Sequence, residues 1–311
     1  MADAYKIIDH TYDAVVVGAG GSGLRATMGI AETGLKTACI TKVFPTRSHT
    51  VAAQGGIAAS LQNNTPDHWT WHMFDTVKGS DWLGDQDAIE YMVREAPAAV
   101  YELEHAGVPF SRTTEGKIYQ RPFGGMMQNM GAGPAAQRTC AAADRTGHAM
   151  LHALYQQSLA YYAPFFVVFV ALDRFMDEEG AFRGVLALEM ATGELHLFRA
   201  QGVVLATGGY GGLFAHTTTP SSLLGEGLAA AWLAGAEIRD PEFVQFHPTA
   251  IDIGLDPMPL ATEALRGEGA RLIDTSGAYL LGPEADADLK SRDIVARAVH
   301  AAVESGRGAL L

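Results

Sequence analysis

Three segments toward the C-terminal end gather groups able to clamp an anion: Gln245-Phe246-His247-Pro248-Thr249, Thr262-Glu263-Ala264-Leu265-Arg266-Gly267-Glu268-Gly269 and Ser291-Arg292-Asp293. Arginine offers a planar fork of N–H donors that fits a carboxylate bidentately, and His and Thr add single donors. The same residue types also suit a solvated ion-pair network, and composition alone leaves both readings open. Near the other end, Val15-Val16-Val17 runs into Gly18, Ala19, Gly20, Gly21, Ser22 and Gly23. This is a G-x-G-x-x-G pattern between an apolar strand and a helix start. Its glycines allow a tight turn, close approach of backbone to a pyrophosphate, and close helix–strand packing. The helix N–H groups and dipole then favour the phosphates.

These groups need a scaffold. A net charge of −13 over 311 residues argues against a nucleic-acid partner, because phosphate binding needs a basic surface. A local cluster of Arg and His can still hold an anion. The 48% apolar fraction suffices for a sizeable core in one large domain or two ordinary ones. Cys39 and Cys140 form neither a disulfide framework nor a metal motif, which fits a reducing compartment. The longest apolar run, around Phe165 to Leu172, falls far short of the ~20 residues of a membrane-spanning helix. No signal-peptide core is present at the N-terminus.

In chain order, Ala14–Val17 reads as a strand, Ser22–Thr33 as a helix capped by Gly34, and Thr37–Thr41 as a second strand, a βαβ unit. The strand end, where an acidic residue often meets a ribose, holds Thr41 and Lys42. Lys42 either contacts phosphates or is simply solvated. Val43 to Ile57 reads as a loop, with Gly55-Gly56 permitting close approach to a flat ring; His49 alone reads as a hydrogen-bonded structural residue. Trp69 to Glu104 is helical with a turn at Gly79 to Asp85, Pro109 to Gly133 is irregular, and Ala135 to Tyr161 is a long helical stretch. Phe165 to Phe175 is a buried strand, and Gly184–Glu189 with Leu195–Ala200 forms a hairpin. Gly202 to Gly209 is a second strand-to-glycine switch, and two such switches suit FAD better than a mononucleotide.

Several motifs then carry a family resemblance. Lys42-Val43-Phe44-Pro45-Thr46-Arg47-Ser48-His49-Thr50 closely resembles the flavoprotein subunits of the succinate dehydrogenase/fumarate reductase family. So do Lys78-Gly79-Ser80-Asp81-Trp82-Leu83-Gly84-Asp85-Gln86-Asp87, Gln120-Arg121-Pro122-Phe123-Gly124-Gly125 and Ala143-Asp144-Arg145-Thr146-Gly147-His148. The match runs over nearly the whole chain and is most specific up to Gly209. It implies an α/β fold: a Rossmann-like FAD-binding domain over 1–241, then the start of an α+β capping domain over 242–311.

By this resemblance His49 joins the flavin covalently. Gly18 to Gly23, Thr41, Lys42, Ser48, Thr50, Gln54, Gly55, Gly56, Ala171, Thr207, Gly208 and Gly209 line FAD. Phe123 stacks against a bound dicarboxylate, and His247 and Thr262 hold a carboxylate. Arg292 exchanges a proton at one substrate carbon while the flavin exchanges hydride at the other, and Glu263 and Arg266 relay the proton. The implied activity is oxidation of succinate to fumarate, with electrons passing to an iron–sulfur subunit and quinone. Membrane-anchor subunits would place the complex at the cytoplasmic face of a bacterial inner membrane, the chain resembling the bacterial form in having no transit peptide.

Two departures qualify this. Glu226 stands where the family has an FAD-contacting Asp, and that stretch, with Pro248 to Asp252 and Thr262 to Arg266, is similar to L-aspartate oxidase. The family also continues past the Arg292 segment, with more of the capping domain, a second substrate His and Arg, and a helical domain. An FAD-binding fragment without turnover is therefore a further reading. It would bind a dicarboxylate weakly and expose strand edges and apolar surface.

Overall fold

The computed structural model describes residues 6–311, leaving aside the side chains of Arg174 and Phe175. It is a mixed α/β structure of two compact units. The first comprises residues up to 52 and 147–243, and the second 53–146 and 244–311. The chain thus crosses between units three times, where the sequence reading draws one division at 241/242.

In the first unit a parallel sheet of four strands has the order Gly202–Leu205, Ala14–Val17, Thr37–Thr41, Phe165–Val167. Every residue of Ala14–Val17 and Thr37–Thr41 is buried, as expected of parallel strands covered on both faces. The helix Gly21–Glu32 follows the first of them. A second sheet orders Ile7–Thr11, Leu195–Arg199, Phe182–Glu189 and Phe169–Met176. Val15, Val17, Ala38 and Ile40 of one sheet pack on Phe169, Val185, Ala187 and Phe198 of the other, forming the core. The expected single strand Phe165–Phe175 is really two. Val168 takes φ 68 and passes the chain from the parallel sheet to the second one.

In the second unit an antiparallel sheet orders Ile57–Ala58, Ala135–Cys140 and Gln120–Met127. Helices Trp69–Gly79 and Gln86–His105 pack on one another. Asp85 caps the latter by accepting the N–H groups of Asp87 and Ala88 at 3.1 and 3.2 Å. Two short elements, the helix Glu263–Gly267 and the helix Arg292–Glu304, carry the acidic and basic residues discussed below. The expected long helix from Ala135 is corrected: Ala135–Cys140 is a strand, and the helix is Thr146–Ala160. Tertiary pairing overrides the helical preference of alanine there. The stretch expected to be irregular, Pro109 to Gly133, contains the strand Gln120–Met127, whose pairing shifts register around Pro122 because proline has no N–H for the ladder. Both units expose large apolar side chains, Trp232 and Leu233 in the first and Phe246 and Ile253 in the second. Among the described residues no helix is long and apolar enough to cross a membrane.

Arg138, fully buried, locks the second unit. Its Nε and Nη2 donate to the two oxygens of Asp67 at 3.1 and 2.9 Å, and its Nη1 donates to Asp75 Oδ2 at 2.8 Å. Nη2 also donates to the carbonyl of Met127 at 3.1 Å, and Met127 N–H donates to Asp75 at 2.8 Å. One guanidinium therefore ties strand Gln120–Met127 to helix Trp69–Gly79. Removing one partner of a buried cluster leaves charge uncompensated. Arg138→Leu is expected to lower unfolding stability by about 3–5 kcal/mol in urea denaturation; a loss below about 1 kcal/mol, typical of an exposed pair, would contradict this role.

Candidate functional site

In the first unit the glycine turn is packed too tightly for side chains. Gly18 has φ +105, and a Cβ there would lie 2.3 Å from the Ala206 carbonyl oxygen; a Cβ on Gly23 would lie 1.8 Å from that of Gly18. Gly20 instead faces Ser48 and Thr50, whose hydroxyls would stand 3.7 and 3.5 Å from an added Cβ. Gly21 N–H donates to Thr50 Oγ1 at 3.1 Å, while Ser48 Oγ is buried without a hydrogen-bond partner among the described residues. The helix Gly21–Glu32 has no side-chain N-cap, so its first N–H groups lack intrahelical acceptors. A side-chain-free cradle, helix N–H donors and an orphaned hydroxyl fit a diphosphate-bearing cofactor. Ala19 is buried and Ser22 exposed beside this turn. Thr207 lies against Gly227, where a Cβ would come within 1.9 Å of its hydroxyl, and Gly208 has φ +78. Gly209 borders open space, and Ala171 is paired with Ala187 in the second sheet.

Other expected cofactor residues are engaged within the chain. Thr41 Oγ1 donates to the Val43 carbonyl at 2.7 Å. Lys42 Nζ pairs with Glu226 and donates to the Ser222 carbonyl at 3.2 Å, so it is neither simply solvated nor an unpaired charge. Burial pushes the Glu226 carboxyl up, but its bonds from Lys42 and backbone N–H groups outweigh this and hold it below the usual range. His49 sits in a short 3₁₀ turn, His49–Ala52, where burial lowers its pKa and favours the neutral, nucleophilic imidazole.

In the second unit, Gln54 accepts a 3.5 Å bond from Thr146 through its carbonyl. Gly56, at φ +129, lies against Cys140. Phe123 packs on Gly55 so closely that a Cβ there would meet the ring at 2.7 Å. One residue further, a Cβ on Gly124 would lie 2.9 Å from both Glu263 Oε1 and the Lys290 carbonyl oxygen.

Glu263 is the hub. It is 4% exposed, and its Oε2 accepts from Arg292 Nε and pairs with Nη2, each at 2.7 Å. Arg266 Nη2 stands 3.3 Å from Oε1, and Arg266 Nη1 donates to the Asp288 carbonyl at 2.7 Å. The Nε and Nη2 of buried Arg266 have no hydrogen-bond partner among the described residues. Gln245 Oε1 accepts from Arg292 Nη1 at 3.3 Å. Asp288 holds Arg271 Nε at 2.5 Å and the Leu272 N–H at 2.9 Å, backing the cluster.

His247 completes it. Backbone pairing of Thr249 with Ala261 brings the His247 and Thr262 segments together. Burial, reinforced by Arg292 and Arg266 against Glu263, lowers the His247 pKa to about 4. Its Nδ1 accepts the Thr249 N–H at 3.2 Å, so the ring proton belongs on Nε2, a neutral donor. Thr262 Oγ1 caps the short helix by accepting Ala264 N–H at 3.4 Å. One carboxylate shared by two guanidiniums, beside a neutral imidazole, leaves a net positive site suited to an anion. Arg292, Glu263 and Arg266 are thus joined by ion pairs, His247 interacts electrostatically with all three, and Thr262 directly precedes Glu263. Asp288 was not singled out from sequence, and Gln245, Thr249 and Gly124 were read only as members of their segments, with no individual role; the Gly124-Gly125 pair after Phe123 signals a close approach.

The chain matches the FAD binding domain family over residues 13–310. It is 59% identical to the succinate dehydrogenase flavoprotein subunit of Rickettsia conorii, over 99% of this chain and 51% of that protein. Identity to the mitochondrial succinate dehydrogenase [ubiquinone] flavoprotein subunit of Oryza sativa is 56%, over 99% and 49%. Among solved structures, E. coli quinol fumarate reductase superposes with TM-score 0.87 at 39% identity, over 97% of this chain and 52% of that one. The chain spans about half the length of the curated relatives it matches.

The folded-state pKa of His247 lies below its ordinary 6.5, so the unfolded chain binds more protons between about pH 6.5 and 4. Stability therefore falls as pH drops through that window, and His72, also lowered to about 4, adds to the slope. A long-range ¹H–¹⁵N spectrum is expected to show His247 neutral and protonated on Nε2 at about pH 5.5. A protonated ring there, or an Nδ1–H tautomer, would refute this.

Proposed function

Since the chain belongs to the FAD binding domain family, with succinate dehydrogenase flavoprotein subunits among its relatives, we propose that it carries the FAD-holding and dicarboxylate-binding parts of such a subunit, oxidising succinate to fumarate. The observation that carries this is Glu263 shared between Arg292 and Arg266 beside a neutral, Nε2-protonated His247. The first unit, residues 1–52 and 147–243, is the nucleotide-holding unit; residues 244–311 of the second begin a substrate cap. Gly18 to Gly23, Ser48, Thr50 and Thr207 to Gly209 hold FAD, with Ala171 and the Lys42–Glu226 pair bordering it; Gln54 to Gly56, in the second unit, are assigned to flavin contact from the family resemblance. His49, kept neutral by burial, is the attachment point.

Bound FAD supplies the two-electron acceptor for the carbon–hydrogen bond that is oxidised. The His247 Nε2–H and the Thr262 hydroxyl hold one carboxylate, and Phe123, braced on Gly55, packs against the carbon chain. Arg292 takes the proton from the neighbouring carbon. A guanidinium is almost always protonated, so Arg292 must lose its proton in each turnover. Glu263, which accepts from its Nε, and Arg266, lowered by burial, form the exit. Electrons then leave toward an iron–sulfur subunit and quinone, in a complex whose anchor subunits hold it at the cytoplasmic face of a bacterial membrane.

The chain is expected to retain flavin fluorescence on a denaturing gel, and His49→Ser to lose it while keeping bound flavin. Anaerobic succinate is expected to bleach the flavin, and Arg292→Gln to slow this by about a hundred- to ten-thousand-fold, the usual span of a proton-transfer group. Flavin that washes away from the unmutated chain would refute the covalent link. Bleaching by aspartate alone would make it an aspartate oxidase, and flavin that stays oxidised with both acids would make it a binding fragment without turnover.

A further inference from the structure

The hairpin Phe182–Glu189 and Leu195–Arg199 in the first unit holds three metal-ligating residues that the flavin chemistry does not use. Glu189 N–H donates to the Glu194 carbonyl at 3.0 Å, which sets the two residues opposite one another at the mouth of the hairpin. His196, two residues beyond Glu194, projects from the same face of its strand. Ligand atoms from all three lie within 4.8 Å of one another.

His196 is only 7% exposed, yet its Nε2 is buried without a hydrogen-bond partner among the described residues. Glu189 Oε2 stands 3.7 Å from it, beyond hydrogen-bond reach. The ring cannot swing away to find another partner. It stacks on His10 with centroids 5.1 Å apart and meets the edge of Phe169 at 4.9 Å. Its Nδ1 lies 2.9 Å from His10 Nε2. In the tautomer whose Nδ1–H donates to His10, Nε2 presents a bare lone pair toward two carboxylates. A second residue holding the far N–H is the usual setting of a metal-bound histidine. A cation satisfies the lone pair and both carboxylates together, which no hydrogen-bond donor among the described residues does.

We propose that Glu189, Glu194 and His196 bind a divalent transition ion of the zinc class, with His10 orienting His196. One imidazole and two carboxylates suit such an ion better than Ca²⁺ or Mg²⁺, which prefer all-oxygen sites. Ligands about 2.1 Å from a tetrahedral ion lie about 3.4 Å apart, so the site closes modestly on binding. Exposed Glu194 is free to supply that movement. Thr192 Oγ1 donates to Glu189 Oε2 at 2.8 Å, which orients this carboxylate. The bound ion cross-links the two strands at the hairpin mouth and leaves the fourth position to water.

Chelator-stripped chain is titrated with Co²⁺, read by its visible ligand-field absorption, and then with Zn²⁺ in competition. One equivalent is expected to bind. Glu189→Gln and Glu194→Gln, which keep side-chain shape, are each expected to weaken binding at least tenfold, and His10→Gln by about 10–100-fold, as for outer partners of metal-bound histidines. Circular dichroism checks that each variant folds. The exposed His148–His152 pair, with ring centroids 4.3 Å apart one helical turn from each other, is the competing chelator, so His148→Asn/His152→Asn is expected to keep the equivalent. No stoichiometric uptake, uptake that survives both glutamine variants, or uptake lost with the His148–His152 pair would overturn the assignment.

Discussion

Glu263 carries one negative charge in a buried position, and two guanidiniums, Arg292 and Arg266, share it. A carboxylate out of water must be paired, and removing either partner would leave its charge exposed to a low dielectric. This single requirement positions the second unit's chemistry. It ties the helix Glu263–Gly267 to the start of the helix Arg292–Glu304 and presses both toward Gly124, where nothing larger than glycine fits. The excess positive charge makes an anion the natural completion of the cluster. Burial keeps His247 neutral, and the excess charge reinforces this, since another cation beside Arg292 and Arg266 would be repelled. Asp288 stands behind, holding Arg266 through its carbonyl and Arg271 through its carboxylate.

The first unit solves the opposite problem with backbone rather than charge. Gly18 and Gly23 are buried against neighbouring carbonyls, so their smallness serves the fold, whereas Gly20 and Gly21 face the hydroxyls of Ser48 and Thr50. A phosphate can be cradled there by N–H groups without a dedicated cation. The pairing of Lys42 with Glu226 agrees with that economy, because the one lysine at the strand end has its own counter-ion. Glutamate in place of the shorter aspartate has the extra methylene with which to reach it.

Much of this was legible in sequence where a pattern had one physical meaning. The run Ala14–Val17 followed by glycines read as the first strand and turn of a βαβ unit, and the structure has it buried between two parallel neighbours. The anion-clamping trio was legible as residue types, but not as a shared carboxylate, because nothing in the spacing of Glu263 and Arg292 fixes a 2.7 Å contact. Ala135–Cys140 misled because alanine favours helices, while what decides that segment is pairing across the sheet and the burial of Arg138 among Asp67 and Asp75. The break at Val168 was equally hidden, since a β-branched residue at positive φ has no local signature. The assignment of His49 came from the family resemblance of its loop; its burial and lowered pKa are visible only in three dimensions.

We propose the Glu263 cluster as a receptor for a dianion. The most direct measurement is a titration followed by side-chain NMR of Arg292 and His247, using malonate as an unreactive dicarboxylate and propionate as its single-charge counterpart. Saturable shifts at both residues with malonate, absent with propionate and abolished in Arg292→Gln, are the predicted result. Equal responses to the two acids, or none to either, would contradict the account.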